Sequence, residues 1–299
     1  MIWKGLVWAA VSVLCWGGLF PVGRMLMLGG DITPLSLGMS RFTLAGLLMI
    51  IIGVFTCPKQ LFAPKFKDYL IMALQGALGA GLMSFLLFMA QKQVAAVNAS
   101  MLEAIVPLQI CVIALLSGKK FNLLQSVGLL IGFLGCLLVL KVLTFNGLQI
   151  NNLQAGDGLI FLSGLCWATY TLWGRSYINR FGGYTFTAWT ILFGGLALML
   201  ANLWCIDSWH WPRQTQTWYL LSYTVLFPSA LAFFSWNEAQ RYISTALLSL
   251  SEYFTPLLTA LIALVMLNES LTFGQFIGAI IVIGAVLAEP EIGSVPNFL

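Results

Sequence analysis

The chain has 299 residues, of which 60% are hydrophobic and only 8% charged, with a formal net charge of +4. A soluble globular domain carries about 25% charged residues, so this composition excludes one and leaves the bilayer as the main solvent. The positive charge is spread over short polar breaks with no basic block, which argues against nucleic-acid binding.

Taken in chain order, Met1 to Lys4 resemble the charged start of a signal peptide. The apolar run that follows is too long and lacks a small-x-small cleavage site, so it is read as a retained first span. Crossing the hydrocarbon takes on the order of 20 apolar residues. On that measure spans fall at roughly 5–27, 34–55, 69–90, 96–117, 123–143, 157–178, 184–204, 217–237, 243–267 and 272–289. The breaks carry loop chemistry: Gly29, Gly30 and Asp31 before Thr33-Pro34, Pro58 and Pro64 among lysines, Asn151-Asn152, Gly182-Gly183, and Pro212 near His210.

With the N-terminus inside, Lys4, Lys59, Lys65, Lys67, Lys119, Lys120, Arg175, Arg180 and Arg241 are cytoplasmic, and Arg24, Lys92, Lys141 and Arg213 are outside. Lysine and arginine in short loops resist translocation, so both termini are expected in the cytoplasm. Trp3, Trp8, Trp209, Trp211 and Trp218 are expected at headgroup level. The cysteines (Cys15, Cys57, Cys111, Cys136, Cys166, Cys205) lie mostly in apolar runs without C-x-x-C spacing and read as packing residues, not as a disulfide or zinc framework.

The chain repeats itself. Residues 14–24, LCWGGLFPVGR, match 165–175, LCWATYTLWGR, at an offset of 151, and an E-x-x-x-P pattern joins Glu103 with Pro107 and Glu252 with Pro256 at an offset of 149. The expectation is an all-α integral membrane protein of ten transmembrane helices, built as two five-helix halves, 1–150 and 151–299, around a central cavity. Five is odd, so the second half enters the membrane inverted. Arg24 then ends the first helix outside and Arg175 the sixth inside. Gly128-x-x-x-Gly132 and Gly274-x-x-x-Gly278 occupy similar places and would permit close helix contact.

The two-repeat layout, the Cys-Trp pairs, the segment 251–287 and its weaker counterpart after Glu103 resemble the EamA family of the drug/metabolite transporter superfamily. Pro256, Glu269, Gln275 and Gly278 match that family's P…E-x-L-x-x-x-Q-x-x-G pattern, while Lys119-Lys120 stand where an acidic residue is usual. The resemblance implies an inner-membrane transporter moving metabolites through a cavity between its halves. Members similar to this chain, among them the aromatic amino acid exporters, export amino acids.

Ionisable groups at membrane depth ask for a partner, a wet cavity or a function. Arg41 and Glu103 each lie about seven residues into spans running the same way, roughly 10 Å below the outer boundary. A structural Arg41–Glu103 ion pair competes with snorkelling of Arg41. Glu252 sits near the midplane, and the counterpart of Arg41 in the second half is approximately Trp189, so no fixed cation faces it. It is either a cavity carboxyl, carrying a proton or holding a substrate ammonium, or a structural glutamic acid. Pro107 and Pro256 each free a carbonyl one turn earlier, and gates or plain bends both fit. Trp16, Trp167, Tyr170, Gln75, Gln91, Asn98, Trp236 and Asn237 complete the candidate cavity wall, which with Glu103 and Glu252 suits a small zwitterion with an apolar side chain. Glu238 and Arg241 read as a solvated pair at the end of helix eight.

The only histidine is His210, and no H-E-x-x-H, G-x-S-x-G, P-loop or carboxylate cluster occurs. That disfavours an enzyme or an ATP-driven pump and implies no cofactor or metal. The leading expectation is alternating-access export of amino acids by a monomer. Multidrug or cation efflux is the alternative, and a passive channel a further one. Nucleotide-sugar transport is disfavoured because a diphosphate needs several cations and Arg41 alone lies deep.

Overall fold

The computed structural model describes residues 2–116, 131, 134–135, 138, 143–144, 147–148, 154–204, 212–268 and 272–287. They are almost entirely helical, apart from a two-stranded ribbon pairing Leu143–Thr144 with Gly147–Leu148. Six helical runs among the described residues are long and apolar enough to span a bilayer: Ile2–Gly29, Pro34–Thr56, Phe66–Gln91, Gly183–Leu203, Thr215–Ala239 and Leu247–Leu267. Each matches an expected span within a few residues. Most of expected helix five, with Gly128, Gly132, Lys119, Lys120, Asn151, Asn152, Trp209, His210, Trp211 and Glu269, lies outside the described residues. Phe55, Leu116 and Val265 are more than 80% exposed, an arrangement that suits hydrocarbon and not water.

Local chemistry sets the helix ends. The first run is α1 (Ile2–Gly17) followed by α2 (Leu19–Gly29), which closes on Gly30 at φ +67°, a left-handed cap. Helix α3 (Pro34–Thr56) opens with Pro34 in its first turn and the Thr33 hydroxyl accepting the Ser36 N–H at 3.1 Å. After the short α4 (Pro58–Leu61) comes the third run: α5 (Phe66–Gly76), a π-helical stretch over Ala77–Leu82, and α6 (Met83–Gln91). The fourth is broken into α7 (Ala96–Glu103) and α8 (Val106–Leu116).

From residue 154 onward the first helix is α9 (Ala155–Phe181), where the Asp157 carboxylate accepts the Gln154 N–H at 2.8 Å. Gly182, at φ +86°, turns the chain into α10 (Gly183–Trp204). Then come α11 (Thr215–Thr224), a second π stretch over Val225–Leu231, and α12 (Ala232–Ala239). The run after it is broken into α13 (Thr245–Ser251) and α14 (Phe254–Leu267), and α15 (Phe273–Leu287) ends the described chain.

Helices before residue 117 pack on helices after residue 154. Helix α1 packs on α12 and α14, and α9 packs on α6, α7 and α8, while α3 lies along α10. Helix α10 comes so close to the third run that a Cβ at Gly76 would sit 2.0 Å from the Thr190 carbonyl oxygen. Small residues replace a hydrophobic driving force where helices meet inside lipid. Gly76→Leu should lower stability in detergent by about 3 kcal/mol or more, since backbone cannot yield as a side chain does. An unchanged melting temperature would show that the crossing is not tight in the folded protein. Among the described residues nothing lies within 4 Å of where a Gly274 Cβ would be, while Gly278, one turn on, is buried.

Outside the spans, the Asp31 carboxylate accepts the backbone N–H groups of Arg213 and Gln214 at 3.0–3.1 Å, tying together two loops far apart in sequence. Those donors hold its pKa below the ordinary value of 3.8. A depressed carboxylate contributes stability above its unfolded value, and that contribution is lost as pH falls through the folded one. Asp31→Ala should therefore flatten the acid side of the stability profile below about pH 4; superimposable acid profiles would contradict the tie.

Candidate functional site

The two E-x-x-x-P segments become two equivalent helix breaks. Because proline has no N–H and crowds the preceding turn, α7 stops at Glu103 and α13 one residue before Glu252, and the chain crosses each gap on tightened turns. Ala104 donates to Met101 and Ile105 to Leu102, at 3.2 and 3.0 Å; Glu252 donates to Ser249 and Thr255 to Glu252, at 3.1 and 2.9 Å. Both glutamates thus sit where a transmembrane helix is interrupted, and both line one cavity of about 70 Å³. At 10–15 Å³ for each, that holds on the order of five waters.

Arg41 lines the same cavity but does not pair with Glu103. Pro228 lies inside the second π stretch and cannot donate to the Thr224 carbonyl; the Ser229 hydroxyl does so instead, at 2.7 Å. That hydroxyl oxygen then accepts Arg41 Nε–H at 2.7 Å, and the Pro228 carbonyl accepts Arg41 Nη2–H at 3.4 Å. Phe42 and Phe88 flank the guanidinium, at 4.5 and 5.5 Å from their ring centres. Arg41 is 1% exposed, so it does not snorkel either. Its remaining N–H groups have no protein acceptor among the described residues and are available to an anionic group in the cavity.

The indoles of the repeated Cys-Trp pairs meet edge to face, with ring centres 5.2 Å apart, and Phe233 packs against both. Trp167 Nε1 donates to the Glu252 carboxyl at 2.6 Å, so Glu252 has a fixed partner that sequence spacing does not reveal. Trp16 Nε1 donates to the Pro228 carbonyl at 3.0 Å. Glu103 has Ser163 beside it, while Glu103 Oε1 and Glu252 Oε2 are buried with no hydrogen-bond partner. The cavity therefore presents one guanidinium, two carboxyl groups and an aromatic wall. Ser100 and Thr255 add hydroxyls.

Several expected wall residues lie elsewhere. Tyr170 and Asn237 belong to a fully buried polar cluster: Asn237 Nδ2 donates to Tyr170 Oη at 2.8 Å and to Thr187 Oγ1 at 2.9 Å, Tyr170 Oη meets Thr190 Oγ1 at 3.1 Å, and Gln240 Nε2 donates to Asn237 Oδ1 at 3.3 Å. Asn237→Ala would strand several of these groups, which predicts a loss of about 2–3 kcal/mol in detergent; a wild-type melting curve would contradict the cluster. Trp236 is buried behind the two tryptophans and not on the cavity surface. Gln91 Nε2 donates to the Phe20 carbonyl at 3.3 Å, tying α6 to α2. Gln75 packs near Gly174, and neither Gln75 nor Asn98 lines the cavity. Trp189 donates to the Leu61 carbonyl at 2.9 Å and takes no part in the site. Glu238 and Arg241 do pair, at 2.7 Å, but with Glu238 only 8% exposed.

Arg24 and Arg175, which correspond in the repeated sequence, play similar parts. Arg24 donates to the Gln91 carbonyl and Arg175 to Thr245 Oγ1 and the Ile243 carbonyl, each pinning a helical hairpin, between α6 and α7 in one case and between α12 and α13 in the other. Aligned at the 149-residue offset, these hairpins share Ala90 with Ala239, Gln91 with Gln240, Ser100 with Ser249, and the Glu-Pro pairs. That longer match is the sequence signal that would have found Ser100.

A family model described as the EamA-like transporter family matches residues 3–141 and again 154–288. The chain is 26% identical to a Bacillus subtilis protein named "Uncharacterized transporter YyaM", covering 90% of this chain and 88% of that one. It is 28% identical to the Escherichia coli "Aromatic amino acid exporter YddG" over 58% of this chain and 59% of that one. One crystal structure superposes with a TM-score of 0.72 over 95% of both chains at 20% identity, which shows a shared fold.

Proposed function

The chain belongs to the EamA-like transporter family and is a multi-pass membrane protein, and from that premise we propose that it exports amino acids, aromatic or otherwise apolar ones, across the inner membrane by alternating access. The observation that carries this reading is the opposed charge of one aromatic-walled cavity: Arg41 for a carboxylate, Glu103 and Glu252 for an ammonium, and Trp16, Trp167 and Phe233 for a side chain. The YddG name supports the substrate class.

In this reading the chain is a monomer of ten spans in two inverted halves, 1–150 and 151–299, with both termini cytoplasmic. Support comes from features that recur at nearly one offset. The π stretches begin at Ala77 and Val225, the helix breaks follow Glu103 and fall at Glu252, and the hairpin arginines are Arg24 and Arg175. With that orientation the first-half lining residues lie toward the outer face, and the Tyr170–Asn237 cluster closes the cytoplasmic half beneath them.

The test is ligand-induced thermal stabilisation by an aromatic amino acid, its methyl ester and its N-acetyl derivative. Only the intact zwitterion uses both charges of the cavity and should stabilise the protein; equal shifts from all three would sink the proposal. Two carboxyl groups beside tryptophans also fit cation efflux, and stabilisation by the ester and by organic cations alone would establish that second reading.

A further inference from the structure

The repeats are equivalent in sequence but not in bonding, and the difference lies in the indole hydrogen bonds. Trp16 and Trp167 correspond, as do Glu103 and Glu252, and as do Gly79 and Pro228, one in each π stretch. In this structure Trp167 holds its own half's glutamate, Glu252. Trp16 does not hold Glu103; its N–H is turned to the Pro228 carbonyl of the opposite half, and Glu103 Oε1 is left buried without a partner. The site opposite Trp16's acceptor is equally suggestive: Gly79 packs directly on Tyr170, one turn beyond Trp167, so the first π stretch lies against α9 as the second lies against α1.

We infer that Trp16 and Trp167 are alternating positioning residues: in the oppositely facing state Trp16 donates to Glu103 while Trp167 releases Glu252 and turns to the backbone carbonyl of Gly79. An inverted repeat relates the two access states by its pseudo-two-fold axis, the halves exchanging conformations. The exchange keeps the number of indole bonds constant, so neither state leaves a buried N–H unpaired, which would be costly in lipid. It also changes which carboxyl is held back by protein and which is free for cargo. Glu103 is the freer one here, and Glu252 becomes so after the switch. The inference rests on the alternating-access reading above.

The test uses Trp16→Phe and Trp167→Phe, each of which keeps a ring and loses only the N–H. Each is placed in a background with the six cysteines replaced and Leu87→Cys introduced in the cavity wall. Labelling of that thiol by a membrane-impermeant reagent is followed from either side of oriented vesicles. A bond to a carboxyl outweighs one to a neutral carbonyl. Trp167→Phe should therefore shift labelling by roughly threefold or more from one side of the vesicles toward the other, and Trp16→Phe should shift it the opposite way. In the matching glutamate background, Glu252→Ala for Trp167→Phe and Glu103→Ala for Trp16→Phe, only the carbonyl bond is left to lose, so each effect should disappear or reverse. Shifts in the same direction, or none, in protein that still performs counterflow would overturn the exchange alone. Absence of counterflow in the cysteine-replaced parent, with binding also absent, would instead overturn the transport reading on which it rests.

Discussion

Replacing Glu252 with glutamine should abolish or uncouple transport while leaving folded, monodisperse protein. The amide keeps the shape of the side chain, and its oxygen can still accept the Trp167 indole N–H found at 2.6 Å. What it loses is the negative charge for a substrate ammonium and the capacity to carry a proton. A hydrogen bond to a charged group contributes about 1.5–3 kcal/mol, so a loss of roughly tenfold to a hundredfold in transport efficiency follows. Counterflow rates across a range of pH are the measurement. Normal kinetics together with a normal pH profile would mean that Glu252 is a structural group held by Trp167.

Arg41→Lys should be nearly as damaging despite conserving charge. The guanidinium uses Nε and Nη2 to grip Ser229 and the Pro228 carbonyl, and still has N–H groups left over. An ammonium on a flexible stem cannot stay anchored to the π stretch and present a flat donor edge at the same time. The expected result is an apparent KM raised about tenfold or more with a smaller change in maximal rate, since uniform substrate binding is what is lost. A normal KM would show that Arg41 only braces α3 against the second π stretch.

Both predictions depend on partners the sequence reveals unequally. The spans were legible because transfer from water to hydrocarbon is decided residue by residue, and each described run lies within a few residues of its expected limits. The pairing of Trp16 with Trp167 and of Glu103 with Glu252 was legible because they stand at nearly constant offsets, and the structure brings all four to one cavity. Arg41's partner was not legible. It is a serine 188 residues away, reached only because Pro228 deprives Thr224 of a donor and Ser229 fills the gap. The one hint was a proline in the middle of an apolar span. Tyr170 and Asn237 were misplaced for a related reason: composition marks a polar residue as needing a partner at membrane depth, but three-dimensional packing decides whether that partner is cargo or another side chain. Equivalence in sequence also hid inequality in structure, since one indole of the repeated pair holds a carboxyl and the other a backbone carbonyl.

The central claim, that one cavity binds and carries an amino acid zwitterion, is tested most directly by reconstituting the purified protein in liposomes. Preloaded with unlabelled amino acids, these should accumulate labelled aromatic amino acid from outside, saturably and transiently, and Glu252→Gln vesicles should not. Flux that rises linearly with concentration and shows no counterflow, or saturable transport confined to organic cations, would contradict it.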